Sequence, residues 1–426
     1  MSCWGKQNSV PEHLEAVQAR WPGDRRGDAT ELRDGRVLVV TPGLSYTVSQ
    51  DGGLTWMPPA PLREQSRRAD SKPVVGGECH LLRLKSGELG ICYRGAGQGG
   101  PGFEFRRSCD EGVSWSPPMG LPEYRTDPDD PGSGARGARS RPVVLPSGRI
   151  IKPRQRGLFH TFFDKGSGRR RPLVEPARGY FRGRLVMVEG HAHEVALDST
   201  FVCYSDDEGQ TWRRNEDGEL FVSLDYGAGG IASFEEAAPV VAPDGSVVMF
   251  GRTEMGQLFK SVSRDQGATW SQPEPSGLAS SHSPAEAVRV PGSDDILLLW
   301  NQESREEISR GLRRARLSAA ISSDGGRSWK HFRNLECNGV PDIARLCAGE
   351  PRWTRAEKLV PNIPEDFVYC GYPRAAFIRD FVVVTYTYSL FGGQPPEAGR
   401  IGKRGVRALP LGWFYEALDA PAAAQQ

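Results

Sequence analysis

Apolar residues in this chain come in short runs broken by turn-forming pairs, without the sustained 3.6-residue period of amphipathic helices. Val240-Val241 and Val247–Phe250 flank Asp244-Gly245, and Ala376–Ile378 and Phe381–Val384 flank Arg379-Asp380. The same arrangement surrounds Asp34-Gly35, Ser86-Gly87, Ser147-Gly148 and Ser293-Asp294. Such runs, bounded by Gly, Asp and Ser, predict strands joined as hairpins.

Five of these six hairpins are followed by one eight-residue pattern, Ser-x-Asp-x-Gly-x-Thr/Ser-Trp. Its copies begin at Ser49, Ser108, Ser205, Ser263 and Ser322 and end at Trp56, Trp115, Trp212, Trp270 and Trp329. An Asp with Gly two residues on predicts a tight turn. The carboxylate accepts backbone N–H groups, Gly takes positive φ, and Trp packs beneath. These Asp boxes are read as structural staples. Repetition of this kind predicts one radial assembly. The fold expected is all-β, a six-bladed β-propeller with four-stranded antiparallel blades.

The box tryptophans are spaced by 59, 97, 58 and 59 residues. The long interval implies an insertion of roughly forty residues in the third blade, at about 153–200. The chain is expected to be a single domain over residues 1–420, with a disordered tail at 421–426. The stretch Leu409–Tyr415 is a candidate closing strand for the box-less sixth blade.

Composition fits this picture: 426 residues carry 51 Gly and 33 Pro. With 54 Lys and Arg against 53 Asp and Glu, the formal charge is +1, which argues against nucleic acid or a membrane surface as partner. No apolar stretch is long enough to span a bilayer as a helix. Met1–Gln7 holds no apolar run that would serve a secretory leader, so a cytoplasmic location is expected, or secretion if a leader has been removed. The eight cysteines form no CxxC pair and read as buried thiols rather than disulfides or a zinc site. No cofactor or resident metal is implied, and the oligomeric state is open.

In a propeller, antiparallel pairing brings the start of each innermost strand and the end of the next to one face around the axis. Strand starts supply Arg25, Arg26, Asp28, Glu78, His80, Arg141, Glu235, Glu236, His282, Ser283 and Tyr372. Second-strand ends supply Tyr93, Arg94, Lys152, Arg154, Arg252, Trp300, Asn301, Tyr386 and Tyr388. Arginine dominates this set, and its planar fork suits a carboxylate. An anionic sugar is the ligand this predicts.

With those residues and the boxes in view, the sequence resembles the sialidase superfamily of Asp-box (BNR-repeat) propellers, over nearly its whole length. The run Glu236–Arg252 looks like a family segment in which Glu opens an inner strand and Arg closes the next. The resemblance implies that Glu236 polarises a nucleophilic tyrosine and that Arg252 is one of three arginines holding a substrate carboxylate. Arg314, with Arg313 and Arg316 as close rivals, corresponds to another. Tyr372, in Cys370–Pro373, stands where the family places its nucleophile. The first-blade stretch Arg25–Thr30 departs from the family's Arg-Ile/Leu-Pro motif, leaving Arg26 as its arginine. The acid/base position falls to Asp70 or Asp28. Arg141 and Arg94 complete the substrate-binding candidates. The sequence resembles a bacterial sialidase-like group in these features.

Three functions follow from this reading. The first is hydrolysis of terminal acidic sugars, sialic acid foremost, by a retaining exo-glycosidase with Tyr372 as nucleophile. The second is a lyase or other glycosidase acting on a uronate. There the insertion's Glu189, His191 and His193 would contact substrate or move a proton, with His193 as the catalytic candidate. A His-x-His pair also suits a metal, although two histidines alone make a weak site. The third is a non-catalytic carbohydrate-binding propeller. In that case Glu236 and Arg252 are an ion pair across neighbouring strands and Tyr372 is inner-strand packing.

Overall fold

A computed structural model describes residues 21–22, 27–41, 43–62, 78–95, 102–122, 135–136, 140–159, 161–164, 169–172, 178–181, 184–187, 197–215, 219–224, 230–310, 312–337, 340–354, 367–391 and 401–416. Six antiparallel sheets follow one another along the chain and form the blades of a β-propeller. Blade one runs Asp28–Glu31, Val37–Thr41, Ser45–Ser49 and Ala60–Pro61, and blade two runs Cys79–Arg83, Leu89–Gly95, Gly102–Ser108 and Met119–Gly120. Blade three is built on Val143–Val144, Ile150–Phe159, Leu197–Ser205 and Arg213–Arg214, with Ala135–Arg136 added to its second strand. Two further hairpins, Thr161–Asp164 with Arg169–Pro172 and Arg178–Phe181 with Arg184–Met187, lie between its second and third strands.

Blade four comprises Glu235–Val241, Val247–Arg252, Gln257–Ser263 and Glu274–Ala279. Blade five comprises Glu286–Arg289, Ile296–Trp300, Arg316–Ser322 and Lys330–Cys337. In blade six, three strands lie among the described residues: Phe367–Ile378, Phe381–Phe391 and Ile401–Pro410. The expected closing strand at Leu409–Tyr415 is different in kind. Leu409 and Pro410 end the third strand, while Leu411–Tyr415 form a 3-10 turn, with Phe414 buried in the core of blades five and six. Among the described residues no helix is long and apolar enough to cross a membrane.

The core sits between blades, because each sheet has two faces to bury. Val240, Phe250, Leu298 and Trp300 fill the junction of blades four and five, and Leu82, Phe105, Ile150 and Phe201 that of two and three. The Asp boxes tighten these junctions. Asp51 Oδ1 accepts from Leu54 N and Thr55 N, both at 2.9 Å, and Oδ2 accepts from Thr55 Oγ at 2.5 Å. Trp115, wholly buried, donates from Nε1 to the Gly112 carbonyl at 3.2 Å. The box glycine has a second duty toward the neighbouring blade. At Gly209, φ is +89°, and an added Cβ would lie 2.1 Å from the Phe105 ring of blade two.

All seven described cysteines are free; Cys79, Cys92, Cys203 and Cys370 are buried, but Cys109 and Cys347 are exposed. Along the axis, the inner strands of blades three, four and five wall a cavity of about 300 Å³ lined by Arg141, Val143, Pro239, Val241, Ala287 and Arg289.

Candidate functional site

The chemistry gathers at the end of the propeller opposite the boxes, where blades four, five and six meet. Blade four supplies two carboxylates through an irregularity in its inner strand. Glu235 pairs with Arg252 and Ala238 with Phe250, so Glu236 and Ala237 together face only Gly251. Consecutive strand residues normally point to opposite faces. This bulge, with Glu236 at φ 43°, brings both acids to one guanidinium. Glu236 Oε2 lies 2.6 Å from Arg252 Nη1, and Glu235 Oε2 lies 4.0 Å from Arg252 Nε. Gly251 is needed opposite the bulge, since a Cβ there would meet the Phe234 ring at 2.2 Å. Arg252 is 2% exposed. Burial works against its charge, but Glu235 and Glu236 hold the guanidinium protonated well above the ordinary arginine range.

Blade six repeats the device. Gly371 pairs with Thr387 and Arg374 with Thr385, leaving Tyr372 and Pro373 in a bulge with Tyr372 at φ 53°. Arg314, just before the third strand of blade five, has φ 58°. Its guanidinium carbon lies 4.7 Å from the Tyr372 ring centroid and 5.1 Å from that of Tyr369. Gly371 allows this approach, because a Cβ there would sit 3.0 Å from Arg314 Cδ. The Arg314 carbonyl accepts from Cys370 N at 2.9 Å, tying blade five to blade six. The next residue, Ala315, donates its N–H to buried Glu303, whose carboxyl burial pushes up to about 7.

His282 joins the two halves. Its Nε2 is 2.7 Å from Glu235 Oε1 and its Nδ1 3.2 Å from Arg252 Nη2, while its carbonyl accepts from Arg314 Nη2 at 3.2 Å. Glu236, Arg252, Arg314 and Tyr372 are thus brought to one cluster. Three of its members, Glu236, Arg314 and Tyr372, hold the left-handed backbone that non-glycine residues avoid. Strain of this kind concentrates at functional sites.

Other candidates fall elsewhere. Asp28 is committed to a buried ion pair, its two oxygens meeting Arg141 Nη1 and Nη2 at 2.7 and 3.0 Å and Leu81 N at 2.8 Å. Arg141 also binds Glu286 at 2.7 Å, and Glu286 binds Arg374 at 3.2 Å. These four residues from blades one, three, five and six form an axial network in which Arg141 holds both oxygens of Asp28. Arg94 is half-buried at the end of the second strand of blade two, where its N–H meets the Glu78 carbonyl at 3.1 Å. Lys152 and Arg154 do not line a cleft; both are buried over the Phe103 ring, at 4.4 and 4.8 Å, between blades two and three. Tyr386 is also internal, bonded to Glu336. Asp70, Arg26, Glu189, His191 and His193 lie outside the described residues.

Glu235 and His282 stand among the strand starts in the sequence, where no role attaches to either. The doubled Glu235-Glu236 is the one available signal, because only a bulge makes both members useful.

Six blades, Asp boxes at one end and this acid, arginine and tyrosine cluster at the other define the class, an Asp-box β-propeller. Residues 103–380 match the model of the BNR repeat-like domain, and the chain belongs to that family. Among solved structures it is similar to a protein of unknown function from Dyadobacter fermentans, at 19% identity and a TM-score of 0.53, covering 91% of this chain and 94% of that one. It is similar also to the NanB sialidase of Streptococcus pneumoniae, solved with an ethanesulfonate ligand, at 13% identity and a TM-score of 0.50, covering 92% and 69%. At such identities the likeness is one of fold. None of the curated proteins matches the chain.

Proposed function

We propose that the protein is an exo-glycosidase that removes terminal acidic sugars, sialic acid first among them, with Tyr372 as nucleophile. The observation that carries this reading is the convergence of Glu236, Arg252, Arg314 and Tyr372 from three blades. Two guanidiniums bridged by one histidine suit a planar carboxylate. A neutral tyrosine suits attack beside that carboxylate, where an anionic nucleophile would be repelled. Arg314, stacked on Tyr372, stabilises the charge that grows on the phenol oxygen.

In this scheme the substrate carboxylate competes for Arg252, and Glu236, released from its 2.6 Å bond, accepts the Tyr372 proton. The tyrosine oxygen bonds the anomeric carbon as the glycosidic bond breaks, and the leaving oxygen takes a proton from the acid/base, for which Asp70 is the candidate. Water then cleaves the tyrosyl–sugar bond. Release of the phenol from an aryl sialoside by wild type and Tyr372→Phe tests the scheme: equal rates remove Tyr372 from the mechanism.

The engagement of Arg252 by Glu236 favours a second reading, a propeller that binds acidic sugar without cleaving it. Binding of an acidic monosaccharide with no turnover over a broad glycan panel identifies that case. Action on a uronate by elimination is distinguished by the absorbance of an unsaturated product.

A further inference from the structure

We propose that His282 is the positioning residue of this site, holding Arg252 by its ring and Arg314 by its main chain so that both face one carboxylate. The inference rests on the reading just given and deepens it.

The local backbone makes the dual role possible. Ser283 N donates to the Ser281 carbonyl at 2.7 Å, closing a three-residue turn centred on His282. The turn sends the ring toward blade four and leaves the carbonyl to Arg314 Nη2 at 3.2 Å. Ring chemistry then fixes the tautomer. An ionised carboxylate only accepts, so Nε2, 2.7 Å from Glu235 Oε1, carries the hydrogen. Nδ1 is left with its lone pair toward Arg252 Nη2, which can only donate. Gln155 Nε2, from blade three, holds the second Glu235 oxygen at 3.4 Å. A chain of contacts thus runs from blade three to the arginines.

The charged groups facing the ring are Glu235, Arg252 and Glu254 from blade four and Arg314 from blade five. Burial, reinforced by Arg252 and partly offset by Glu235, lowers the imidazole to about 4. Protonation would turn Nδ1 into a donor, releasing Arg252 Nη2 and favouring Glu254 Oε1, 3.5 Å away. The clamp therefore needs the neutral ring, and acid loosens it.

Nitrogen-15 NMR of the imidazole and of the arginine side chains reads the hold without turnover. The expected result is a neutral Nε2–H tautomer persisting well below the usual histidine range, with an Arg252 signal that shifts in His282→Phe and an Arg314 signal that stays, because Phe keeps the main-chain carbonyl. An Nδ1–H tautomer, or an imidazolium at neutral pH, overturns the proposal. Calorimetry with free N-acetylneuraminic acid and kinetics with an aryl sialoside supply the second arm. His282→Phe should raise Kd and KM roughly ten-fold with kcat little changed, while His282→Gln, which still accepts and donates, restores most of the affinity. In His282→Gln the acid-side rise in KM should also disappear. Wild-type affinity in His282→Phe overturns the proposal. A wild type that shows the expected tautomer but neither binds nor cleaves the sugar defeats the glycosidase reading, while the NMR result still decides whether His282 holds the arginines.

Discussion

Arg314 and Tyr372 meet across the junction of blades five and six, guanidinium carbon 4.7 Å from ring centroid, and each holds a positive φ, 58° and 53°. The contact is planar on both sides, so charge and shape act together. Arg314→Lys keeps the charge but loses the plane and the fork. Its expected effect is a rise in KM for an aryl sialoside of roughly ten-fold or more. Since Gly371 and the Cys370 contact to the Arg314 carbonyl remain, the melting temperature should stay near that of wild type. A KM equal to wild type in steady-state kinetics would remove Arg314 from substrate binding.

Arg252 is 2% exposed and neutralises two carboxylates whose side chains are each 9% exposed. Breaking a buried pair from one side leaves charge stranded, at a cost of about 3–5 kcal/mol. Arg252→Met is therefore expected to lose stability on that scale in urea unfolding. Adding Glu236→Gln should recover part of the loss, because the nearer acid is then neutral. A loss below about 1 kcal/mol would mean that water reaches these groups as it does an exposed pair.

The blades were legible because repetition and turn chemistry are local: Asp51, Gly53 and Trp56 lie within one turn, and their spacing alone dictates the staple. Convergence at the site was legible in part, since strand starts and ends are fixed by hairpin position. What the sequence did not disclose was side-chain direction. Lys152 and Arg154, expected at a strand end, lie inside Ile150–Phe159 and point into the packing of blades two and three. Asp28 stands at the first strand start and is taken by Arg141, a partner 113 residues away. Glu235 acts beside Glu236 only because a bulge overrides alternation, and the doubled acid is the single local hint of it.

Two glycines separate backbone strain from packing. Gly245, in the blade-four hairpin, has φ +80° with nothing within 4 Å of where a Cβ would stand, whereas Gly209 has φ +89° with the Phe105 ring at 2.1 Å. Gly245→Ala should cost only the left-handed penalty, about 1–2 kcal/mol. Gly209→Ala adds a clash in the junction of blades two and three, with overpacking worth about 1–3 kcal/mol more. Equal losses in paired urea titrations would show that the Asp box does not staple neighbouring blades.

Lys152 gives a pH dependence with a definite sign. Burial, with Arg154 and Arg374 nearby, lowers its amine to about 8 from the usual 10.5, although Cys92 and Glu78 oppose the shift. Below that value both folded and unfolded chains carry the proton, so the penalty of the buried charge is constant. Between about 8 and 10.5 the unfolded chain binds more protons than the folded one, and stability attributable to Lys152 rises with pH. Lys152→Met lacks this group, so its stability relative to wild type should decline across that window and stay level below it. Urea titrations of both proteins at neutral pH and near pH 10 measure the difference. A gap that widens in favour of the variant at high pH would mean that Lys152 is held charged in the folded state, with Glu78 outweighing burial.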